Sequence, residues 1–597
     1  MLAPAAEKPS LLVVGGASLD LLHFSGQQAR CAGGAGLYTA LAAQRSGVRV
    51  VMYGPRPQPM PEELRAVDER VEWVGPTVSP EELPHFEIAN YGGGTEMLRL
   101  SWGAEARLRP EEAPAAGRTA DWIYCVPLAD PSLQLAFVRH FKAQGRRVAC
   151  GTYGRLASDH HDVTRTAIAE ADAFFCNEAE ARALLADAER PCVRPGQLLF
   201  VTRGARGARV VQGSYVTELP GLPAWELDPT GAGDTFCGTT LARLVLGDHP
   251  VEAARHGVAH AARMIGEVGP RALLAPAPAE APPEDPRVTL DPERIARVAA
   301  LLAASPELRR FDFASELFPP VGDPWALDFF FAATLQQFGF WRLSEERYGG
   351  PMIARLGGRS LKGSDYLWAA YRRWMAADPA GLTPAAQAAL DAGQFEARLR
   401  ADDGGVPLPE PERYLDAARA YGADMAALGV TAQGLLAEAN ASSAPVRALL
   451  QRLDHVGGYK EDPLRKKSAL LALILAERPE GFLRRGDLPP IVDYHVQRSC
   501  LRLGLVLVQD AALGEALVAR RRLQAPDEDA VRRAALRATR ALQEASGRSM
   551  AACDHFLFAM RHRCPELTEP QCARCPADPA CAHRKELFQP ILPTTFY

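Results

Sequence analysis

Hydrophobic residues follow two different patterns, one before and one after a Pro/Ala-rich stretch near residue 280. In the first half, short apolar runs alternate with segments of helical periodicity. The apolar runs are LLVVGG, VRVVMYG, DWIYCVP, RRVACGT, AFFCN and LLFVTRG, and the helical segments are GLYTALAAQRSG, PSLQLAFVRHFKAQG and DTFCGTTLARLVLG. Strands that alternate with helices predict an α/β fold with a doubly wound, mostly parallel sheet.

One segment of the first half departs from this alternation. Residues 86–108, FEIANYGGGTEMLRLSWGAEARL, contain two extended stretches on either side of three glycines. Extended stretches that flank a glycine turn are typical of an antiparallel pair. We therefore expect a small β lid beside the main sheet.

The clearest boundary is the stretch 275–286, in which Pro and Ala alternate. Such a composition favours a stiff, extended linker without a core of its own. We place the first domain at 1–274 and the second at 287–597. The second half has helical periodicity in ERIARVAALLAA, ALDFFFAATLQQFGFW, SDYLWAAYRRWMAA, ERYLDAARAYGADMAAL, LRKKSALLALILA and AVRRAALRATRALQEA. Because strand signals there are nearly absent, we predict an all-α domain.

Composition limits the choice of partners. The 597 residues carry a formal net charge of −5, which gives no general attraction to nucleic acid. No run of 18 apolar residues occurs, so we expect no transmembrane helix and no membrane partner. The first residues lack the pattern of a secretory signal, and we expect a cytoplasmic protein.

The sharpest local motif is Asp228-Pro-Thr-Gly-Ala-Gly-Asp234, directly before an apolar helix. Gly231, Ala232 and Gly233 let backbone amides approach an anion, and a helix N-terminus adds partial positive charge. Asp234 could accept the proton of a substrate hydroxyl as that hydroxyl attacks a γ-phosphoryl group. The alternative is a plain turn, with Asp234 as a helix cap.

Further motifs occur in an order that resembles the ribokinase-like, or PfkB, kinase family over about residues 10–275. They are the di-glycine of CAGGAGLYTA, the aspartate of GGASLDLL, the Asn-x-x-Glu of NEAE, the loop VTRGARGA and the DPTGAGD motif. The resemblance implies ATP and Mg²⁺ as cofactors and Asp234 as the catalytic base. It also implies that Asn177 and Glu180 serve magnesium and phosphate.

The same resemblance implies roles for two further groups of residues. Thr202, Gly204 and Gly207 would lie near the nucleotide. The substrate would meet Asp20, Gly33, Gly34 and Tyr38. Tyr38 stands where sugar-specific members often have Asn, and Pro229 replaces a residue that is usually polar, so the substrate is left open between a sugar and a nucleoside. The alternative is a degenerate kinase fold retained as a scaffold.

Four cysteines near residue 570 form the pattern C-x7-C-x2-C-x5-C, namely Cys564, Cys572, Cys575 and Cys581. Four thiolates at this spacing can ligate zinc or an iron–sulfur cluster. The loop at 564–581 resembles the [4Fe–4S] loop that ends endonuclease III-type, helix–hairpin–helix DNA glycosylases. Those usually have six residues in the first gap, whereas this chain has seven. The resemblance implies a [4Fe–4S] cluster in preference to zinc.

The segment DLPPIVDYHVQRSCLRLGL resembles the region around the catalytic aspartate of the same glycosylases. The resemblance implies that Asp493 stabilises positive charge at the anomeric carbon while an N-glycosidic bond breaks. The alternative for an aspartate at a helix start is an N-cap. The hairpin of those enzymes is poorly matched by Val456-Gly-Gly-Tyr-Lys460, which argues mildly against duplex DNA.

A related resemblance covers more of the second half. Queuosine salvage proteins are helical, glycosylase-like enzymes that release a 7-deazaguanine base from queuosine or its 5′-monophosphate. LDFFFAATLQQFGFW, SDYLWAAYRRWM, LRKKSALLALIL and IVDYHVQRSCLRLG resemble their segments in order. The resemblance implies substrate contacts by Phe340, Trp341, Tyr494 and Lys467. Plain core packing is the alternative for the aromatic residues, and a solvated helix face is the alternative for the lysine.

These motifs together predict a bifunctional nucleoside-salvage enzyme. The first domain would phosphorylate a nucleoside, with queuosine as a candidate, or a sugar. The second would then hydrolyse the N-glycosidic bond. One alternative is an iron–sulfur DNA glycosylase with a regulatory or degenerate kinase domain, although nucleic acid is not favoured as a partner. Another is a ligand-binding sensor without catalysis, and a homodimer is left open.

Overall fold

The computed structural model describes residues 9–24, 26–90, 95–276, 281–305 and 311–597. The chain divides into two compact units, 1–283 and 284–597. Residues 277–280 of the predicted linker and the glycine turn at 91–94 lie outside the described residues. Each unit has its own hydrophobic core.

The strands of the N-terminal unit, β1 to β15 in chain order, are Ser10–Val14, Ser18–Phe24, Gln27–Gly33, Arg49–Tyr53, Arg56–Pro57, Glu72–Val74, Thr77–Val78, His85–Asn90, Thr95–Ser101, Trp122–Cys125, Val148–Gly151, Ala173–Asn177, Leu198–Thr202, Ala208–Gln212 and Tyr215–Leu219. Its α-helices, α1 to α9, are Ala35–Arg45, Glu62–Asp68, Pro131–Ala143, Gly154–Asp159, His161–Glu170, Glu178–Leu184, Ala232–Leu246, Pro250–Met264 and Arg271–Leu274. The six apolar runs and three helical segments predicted from the sequence all fall on elements of the expected type.

A nine-stranded sheet forms the centre of this unit, in the order β15-β14-β13-β12-β11-β10-β1-β4-β6. The pairs from β13 to β6 are parallel, and β14 and β15 add an antiparallel edge. The residues of β10 and β11 are buried throughout. Strands covered on both faces have continuous apolar sequences, which is why the pattern predicted them correctly.

The lid is larger than the sequence predicted. The expected antiparallel pair is β8 and β9, but β2 and β3 join it in a four-stranded sheet of order β3-β2-β8-β9. Buried and partly exposed residues alternate along β2, and most of β3 is polar or exposed. Strands of this kind lack the continuous apolar run that identified the others.

The C-terminal unit is mainly helical. Its α-helices, α10 to α22, are Pro292–Ala304, Ala326–Thr334, Ser364–Ala377, Pro384–Ala388, Ala392–Leu399, Pro411–Ala427, Ala432–Ala441, Pro445–Leu453, Lys466–Glu477, Tyr494–Leu503, Ala511–Val518, Ala525–Ser546 and Met550–Ala559. Its strands, β16 to β21, are Val288–Leu290, Trp341–Ser344, Arg347–Pro351, Ile353–Leu356, Arg359–Lys362 and Val506–Val508.

The prediction of an all-α domain was therefore wrong in detail. Two hairpins, β17–β18 and β19–β20, occupy most of 341–362, and β16 pairs with β21. Short strands separated by Glu-Glu and Gly-Gly turns gave no long periodic signal. The predicted aromatic helix also ends early, because α11 stops at Thr334 and Trp341 already begins β17. No helix in the described part of the chain is long and apolar enough to cross a membrane.

Candidate functional site

The first candidate site lies at the carboxyl ends of neighbouring parallel strands. Asn177 ends β12 and pairs in register with Thr202, which ends β13. In open α/β sheets, ligands bind outside the carboxyl ends of the strands. Asn177, Glu180, Thr202, Gly233 and Asp234 all line one cavity of about 390 Å³ there.

Asn177 and Glu180 hold each other in place at the start of α6. The Asn177 side chain accepts a hydrogen bond from the Glu180 backbone N–H at 2.9 Å, and Glu180 Oε2 accepts one from the Asn177 backbone N–H at 2.8 Å. This reciprocal capping box fixes both side chains. The Asn177 amide also donates to Glu180 Oε1 at 2.8 Å. Burial raises the pKa of Glu180 to about 7. A bound cation would stabilise the ionised form of this buried carboxyl group.

A buried aspartate, Asp228, organises the turn that leads into α7. Its Oδ1 accepts hydrogen bonds from Asn90 Nδ2 at 2.8 Å and the Thr230 backbone N–H at 3.0 Å. Its Oδ2 accepts one from the Gly269 backbone N–H at 2.8 Å. The carboxylate thus ties together the lid strand β8, the turn and the segment after α8. Asp228 therefore positions the turn and does not itself line the cavity.

The turn delivers Asp234 to the first turn of α7, which begins at Ala232 with Gly231 as its N-cap. Burial raises the pKa of Asp234 to about 6. A carboxyl with this pKa is ionised at neutral pH and is a stronger base than an ordinary aspartate. Gly231 and Ala232 build the turn without lining the cavity.

The predicted nucleotide loop connects β13 to β14. Gly204 and Gly207 both have positive φ values, +57° and +90°. A Cβ at Gly207 would lie 2.1 Å from the carbonyl oxygen of Leu219, so the close approach of two backbones requires glycine there. Neither glycine lines the cavity, whereas Thr202 does.

The predicted substrate residues are packed together beside the cavity. A Cβ at Gly33 would lie 1.8 Å from Asp20 Oδ2, and one at Gly34 would lie 2.9 Å from the Gly16 carbonyl oxygen. Burial raises the pKa of Asp20 to about 7. Tyr38 is 1% exposed and lies behind the turn that precedes α7. All four residues, Asp20, Gly33, Gly34 and Tyr38, are outside the lining of this cavity.

Sequence reasoning missed most of the other lining residues, among them Phe86, Trp102, Glu105 and Tyr153. Phe86, Trp102 and Tyr153 form a chain of aromatic rings, with centroid separations of 5.5 Å between Phe86 and Trp102 and 5.6 Å between Trp102 and Tyr153. Glu105 is 6% exposed, and its Oε2 atom has no hydrogen-bond partner in the described part of the chain. Burial raises the pKa of Glu105 to about 7. The sequence signal that could have indicated these lining residues was the presence of aromatic residues in the predicted lid segment.

A second candidate site lies in the C-terminal unit, where a cavity of about 930 Å³ opens. Phe340, Asp493 and Tyr494, all predicted from the sequence, contribute to its lining. Asp493 is the N-cap of α19, and its Oδ1 accepts a hydrogen bond from the Val496 backbone N–H at 2.8 Å. The capping interpretation is therefore correct, and it is compatible with a functional one because the same residue faces the cavity.

Two other predicted substrate residues lie elsewhere. Lys467 is 1% exposed, and its Nζ lies 5.0 Å from the centre of the Phe338 ring, away from the cavity lining. Trp341 is also outside the lining and packs near Tyr348. The lysine on the cavity wall is Lys466, whose Nζ donates to the Gln337 carbonyl oxygen at 2.8 Å. One residue along a helix turns a side chain by about 100°, and the motif alone did not fix which lysine faces inward.

A buried ion pair sets the start of α18. Nη1 and Nη2 of Arg532 each donate to Asp462 at 2.8 Å, and Asp462 Oδ2 accepts a hydrogen bond from the Lys466 backbone N–H at 2.7 Å. The pair is nearly inaccessible to solvent. A bidentate pair of this kind fixes the orientation of both side chains as well as their positions. It therefore anchors Lys466 at the cavity wall.

The segment 456–460 forms a turn after α17, with Gly458 at φ +84°. The Gly457 backbone N–H and Lys460 Nζ both donate to Asp424 Oδ2 at 2.7 Å. A carboxylate of the protein itself thus occupies the donors that a DNA phosphate would need.

The four cysteines of the 564–581 loop are partly exposed. Burial is the largest cause that raises the pKa of the Cys575 thiol, and the nearby Cys564 and Cys572 add to it. Arg502 Nη1 donates to Cys564 Sγ at 3.2 Å, and the His583 backbone N–H donates to Cys581 Sγ at 3.3 Å. Hydrogen bonds to sulfur are typical of metal-bound thiolates.

The spacing of these sulfurs bears on which metal would fit. A tetrahedral zinc site with bonds of about 2.3 Å requires sulfur atoms about 3.8 Å apart. Within the described residues, the compact ligand group, with atoms within 4.8 Å of one another, is Cys572, Asp578 and His583, without the other three cysteines. Among the described residues, no three of the four cysteine sulfurs belong to such a group.

Comparisons with known proteins concern the N-terminal unit. The family model for pfkB family carbohydrate kinases matches residues 17–277. A cytidine kinase of Thermococcus kodakarensis is 28% identical over 273 residues, which are 43% of this chain and 97% of that protein. A 2-dehydro-3-deoxygalactonokinase of Haloferax volcanii is 32% identical over 128 residues, 20% of this chain and 40% of that protein.

Two kinases are among the solved structures that are similar to this chain. The adenosine kinase from Sinorhizobium meliloti has a TM-score of 0.38 at 21% identity, covering 44% of this chain and 95% of that one. The Burkholderia thailandensis nucleoside kinase in complex with inosine has a TM-score of 0.37 at 20% identity, covering 44% and 93%.

The family match and the motifs that line the cavity define the N-terminal unit as a phosphotransferase domain. Residues 17–277, most of that unit, match the PfkB family of ribokinase-like kinases. The family match ends at residue 277, before the helical unit begins.

Proposed function

We propose that the N-terminal unit is a nucleoside kinase that uses ATP and Mg²⁺. One observation carries the choice of a nucleoside: Asp234 shares its cavity with the aromatic side chains of Phe86, Trp102 and Tyr153. Aromatic faces bind nucleobases by stacking, whereas a free sugar offers no comparable flat surface. The similarity to a cytidine kinase over nearly its whole length supports the same class.

The residues of the cavity fit the cofactors. Asn177 and Glu180 offer amide and carboxylate oxygens, which Mg²⁺ prefers. The start of α7 offers backbone N–H groups to phosphate oxygens. When bound, ATP supplies the γ-phosphoryl group and Mg²⁺ neutralises charge on it. Asp234 takes the proton of the attacking hydroxyl, and its ionised form at neutral pH suits that role.

A phosphate-transfer screen tests this proposal. Purified full-length protein with labelled ATP is offered cytidine, adenosine, inosine, guanosine, queuosine, ribose and 2-dehydro-3-deoxygalactonate. We expect kcat/KM for the preferred nucleoside to exceed that for ribose by about 10-fold to 100-fold, the amount that base stacking can supply. Asp234→Asn is the inactive control. Ribose or the keto acid as the best substrate would contradict the nucleoside assignment.

For the C-terminal unit we propose hydrolysis of an N-glycosidic bond. The observation that favours it is that Asp493, Phe340 and Tyr494 face one cavity large enough for a nucleotide. An aspartate suits the positive charge that develops at the anomeric carbon, and aromatic rings suit the base. Duplex DNA is disfavoured as substrate because Asp424 takes up the donors of the 456–460 turn. A 5′-phosphorylated nucleoside, the product of the first unit, is the proposed substrate, with queuosine 5′-monophosphate as the candidate.

Mass spectrometry of one reaction separates the two activities. Protein incubated with ATP and queuosine should yield the monophosphate and then free queuine. Asp493→Asn should accumulate the monophosphate, and Asp234→Asn should form neither product. Release of base from a lesion-bearing DNA duplex, with none from the monophosphate, would favour a DNA glycosylase instead.

We also propose that Cys564, Cys572, Cys575 and Cys581 hold a [4Fe–4S] cluster. The hydrogen bonds that Arg502 and the His583 backbone N–H donate to Cys564 and Cys581 support bound thiolates. The resemblance of the loop to that of endonuclease III-type glycosylases favours a [4Fe–4S] cluster over zinc. When present, the cluster would fasten the 564–581 loop to α19, the helix that Asp493 begins.

A further inference from the structure

Four charged side chains meet on one wall of the C-terminal cavity. Asp493 and Lys466 stand at the starts of α19 and α18, Asp554 lies within α22, and Arg561 follows that helix. All four line the cavity. Three helices therefore bring two carboxyl groups and two cations to the same surface.

The two carboxyl groups have different surroundings. Asp493 receives the Val496 backbone N–H at 2.8 Å, and a helix N-terminus stabilises negative charge. In contrast, no hydrogen bond or ion pair from the described residues reaches Asp554. Burial raises the pKa of Asp554 to about 8, the charge of Asp493 acts in the same direction, and Lys466 and Arg561 oppose it. His555, its neighbour on α22, also lines the cavity, and burial lowers the pKa of that imidazole.

Paired carboxyl groups in different surroundings commonly divide the work between a proton donor and a group that stabilises positive charge. Here the group without a partner, Asp554, faces the cavity as a carboxylic acid at neutral pH. The capped group, Asp493, faces it as the acceptor. Neither the sequence motifs nor the comparisons assigned a role to Asp554.

We infer that Asp554 is the catalytic proton donor of the C-terminal cavity and protonates the departing base of an N-nucleoside. This rests on the hydrolase function proposed above. The bond between the anomeric carbon and the base nitrogen breaks, its electron pair stays on the base, and the Asp554 proton neutralises the base. Asp493 stabilises the positive charge left on the sugar. A water molecule then bonds to the anomeric carbon, and the proton it loses returns to the Asp554 carboxylate.

The leaving group decides how much this proton matters. A purine or 7-deazapurine departs poorly as an anion, so its loss depends on an acid, and a positioned acid contributes about 10²-fold to 10⁴-fold. A nitrophenolate departs readily without a proton. The dependence on Asp554 should therefore appear with a nucleoside and disappear with a nitrophenyl riboside.

The experiment compares two probes with three variants of the full-length protein. The probes are queuosine and 4-nitrophenyl β-D-ribofuranoside, each with ATP present so that the kinase unit can phosphorylate it. We expect Asp554→Asn to lose at least about 100-fold in base release from queuosine and to stay within about 3-fold of wild type on the nitrophenyl probe. Asp493→Asn should lose activity on both. Asp529→Asn, which alters a partly buried ion pair with Arg533 on α21 outside the cavity lining, should match wild type.

Each other outcome has a definite meaning. If Asp554→Asn lost activity equally on both probes, the role of Asp554 would be structural. If it lost no activity on queuosine, Asp554 would be excluded as the proton donor. Wild-type protein that cleaves neither probe would overturn the hydrolase function itself, a different failure.

Infrared spectroscopy adds a readout that is independent of turnover. The protonated-carboxyl signal that declines between about pH 6.5 and 9.5 in wild type should be smaller in Asp554→Asn by the contribution of one carboxyl. A remaining signal is expected, because the pKa values of Asp20, Glu105 and Glu180 are also raised to about 7. A signal unchanged by that substitution would overturn the assignment.

Discussion

The ring of Tyr38 fills the space beside Gly231: a Cβ on Gly231 would lie 2.5 Å from Tyr38 Cδ1. Gly231 also has φ +81°, a conformation that other residues adopt only with strain. Tyr38, predicted as a substrate contact, therefore supports the turn that directs the start of α7 toward the cavity.

Gly231→Ala should destabilise the N-terminal unit and abolish most kinase activity. Strain and the clash with Tyr38 together should cost about 2 to 3 kcal/mol, or several degrees in the unfolding temperature of this unit. Differential scanning calorimetry measures it. The matched control is Gly233→Ala, because its Cβ meets nothing within 4 Å and its φ is not positive. Equal unfolding temperatures for the two variants would contradict the role of Tyr38.

The sequence alone could predict the residues whose chemistry depends on local motifs. Asn177, Glu180, Thr202 and Asp234 follow apolar strands or open a helix, and parallel strands bring their ends together. Trp102 and Glu105 could not be found this way, because their place in the cavity depends on how the lid folds back on the sheet. That lid contains β2 and β3, which have no continuous apolar run.

In the helical unit, too, some site residues were predictable from local motifs and others depended on the tertiary structure. Asp493 was predictable from its motif, whereas the choice between Lys466 and Lys467 depended on the rotation of α18, which the buried Asp462–Arg532 pair sets. Asp554 lies in the segment CDHFLF on α22, which resembles the queuosine salvage proteins but was given no catalytic role from the sequence. Its chemistry arises only from burial and from the nearby Asp493.

Kinase activity should fall as the pH drops below about 6, because Asp234 must be ionised to accept a proton and its pKa is raised to about 6. The effect on stability has the opposite sign. Between the ordinary aspartate pKa of 3.8 and about 6, the unfolded chain ionises Asp234 more readily than the folded one, so this group lowers stability as the pH rises. Asp234→Asn should therefore be inactive, and above pH 6 it should also unfold at a higher temperature than wild type. The unfolding temperatures of the two proteins should converge below about pH 4. A difference in unfolding temperature that is the same above pH 6 and below pH 4 would contradict the effect of burial on Asp234.

Trp102→Ala should weaken nucleoside binding without impairing chemistry on small sugars. Loss of one stacking surface costs about 1 to 3 kcal/mol, which raises KM for the nucleoside by about 5-fold to 100-fold. Any slow phosphorylation of ribose should keep its KM, since ribose has no base to stack. Trp225→Ala is the control, because that side chain is 81% exposed and does not line the cavity. Similar losses for nucleoside and ribose would instead indicate that Trp102 supports the lid as a whole.

Anaerobically purified protein should be brown, with a broad absorption band near roughly 400 nm, if the cysteine loop holds an iron–sulfur cluster. Cys575→Ser should lose the band and the bound iron, because it removes one of four proposed ligands. Cys553→Ser should keep both, since Cys553 is fully buried in the core of the unit and hydrogen-bonds with Ser546 at 3.9 Å. Elemental analysis decides the alternative: a colourless protein with one zinc per chain, lost in Cys572→Ser and His583→Ala but retained in Cys564→Ser, would place zinc at the compact group of Cys572, Asp578 and His583.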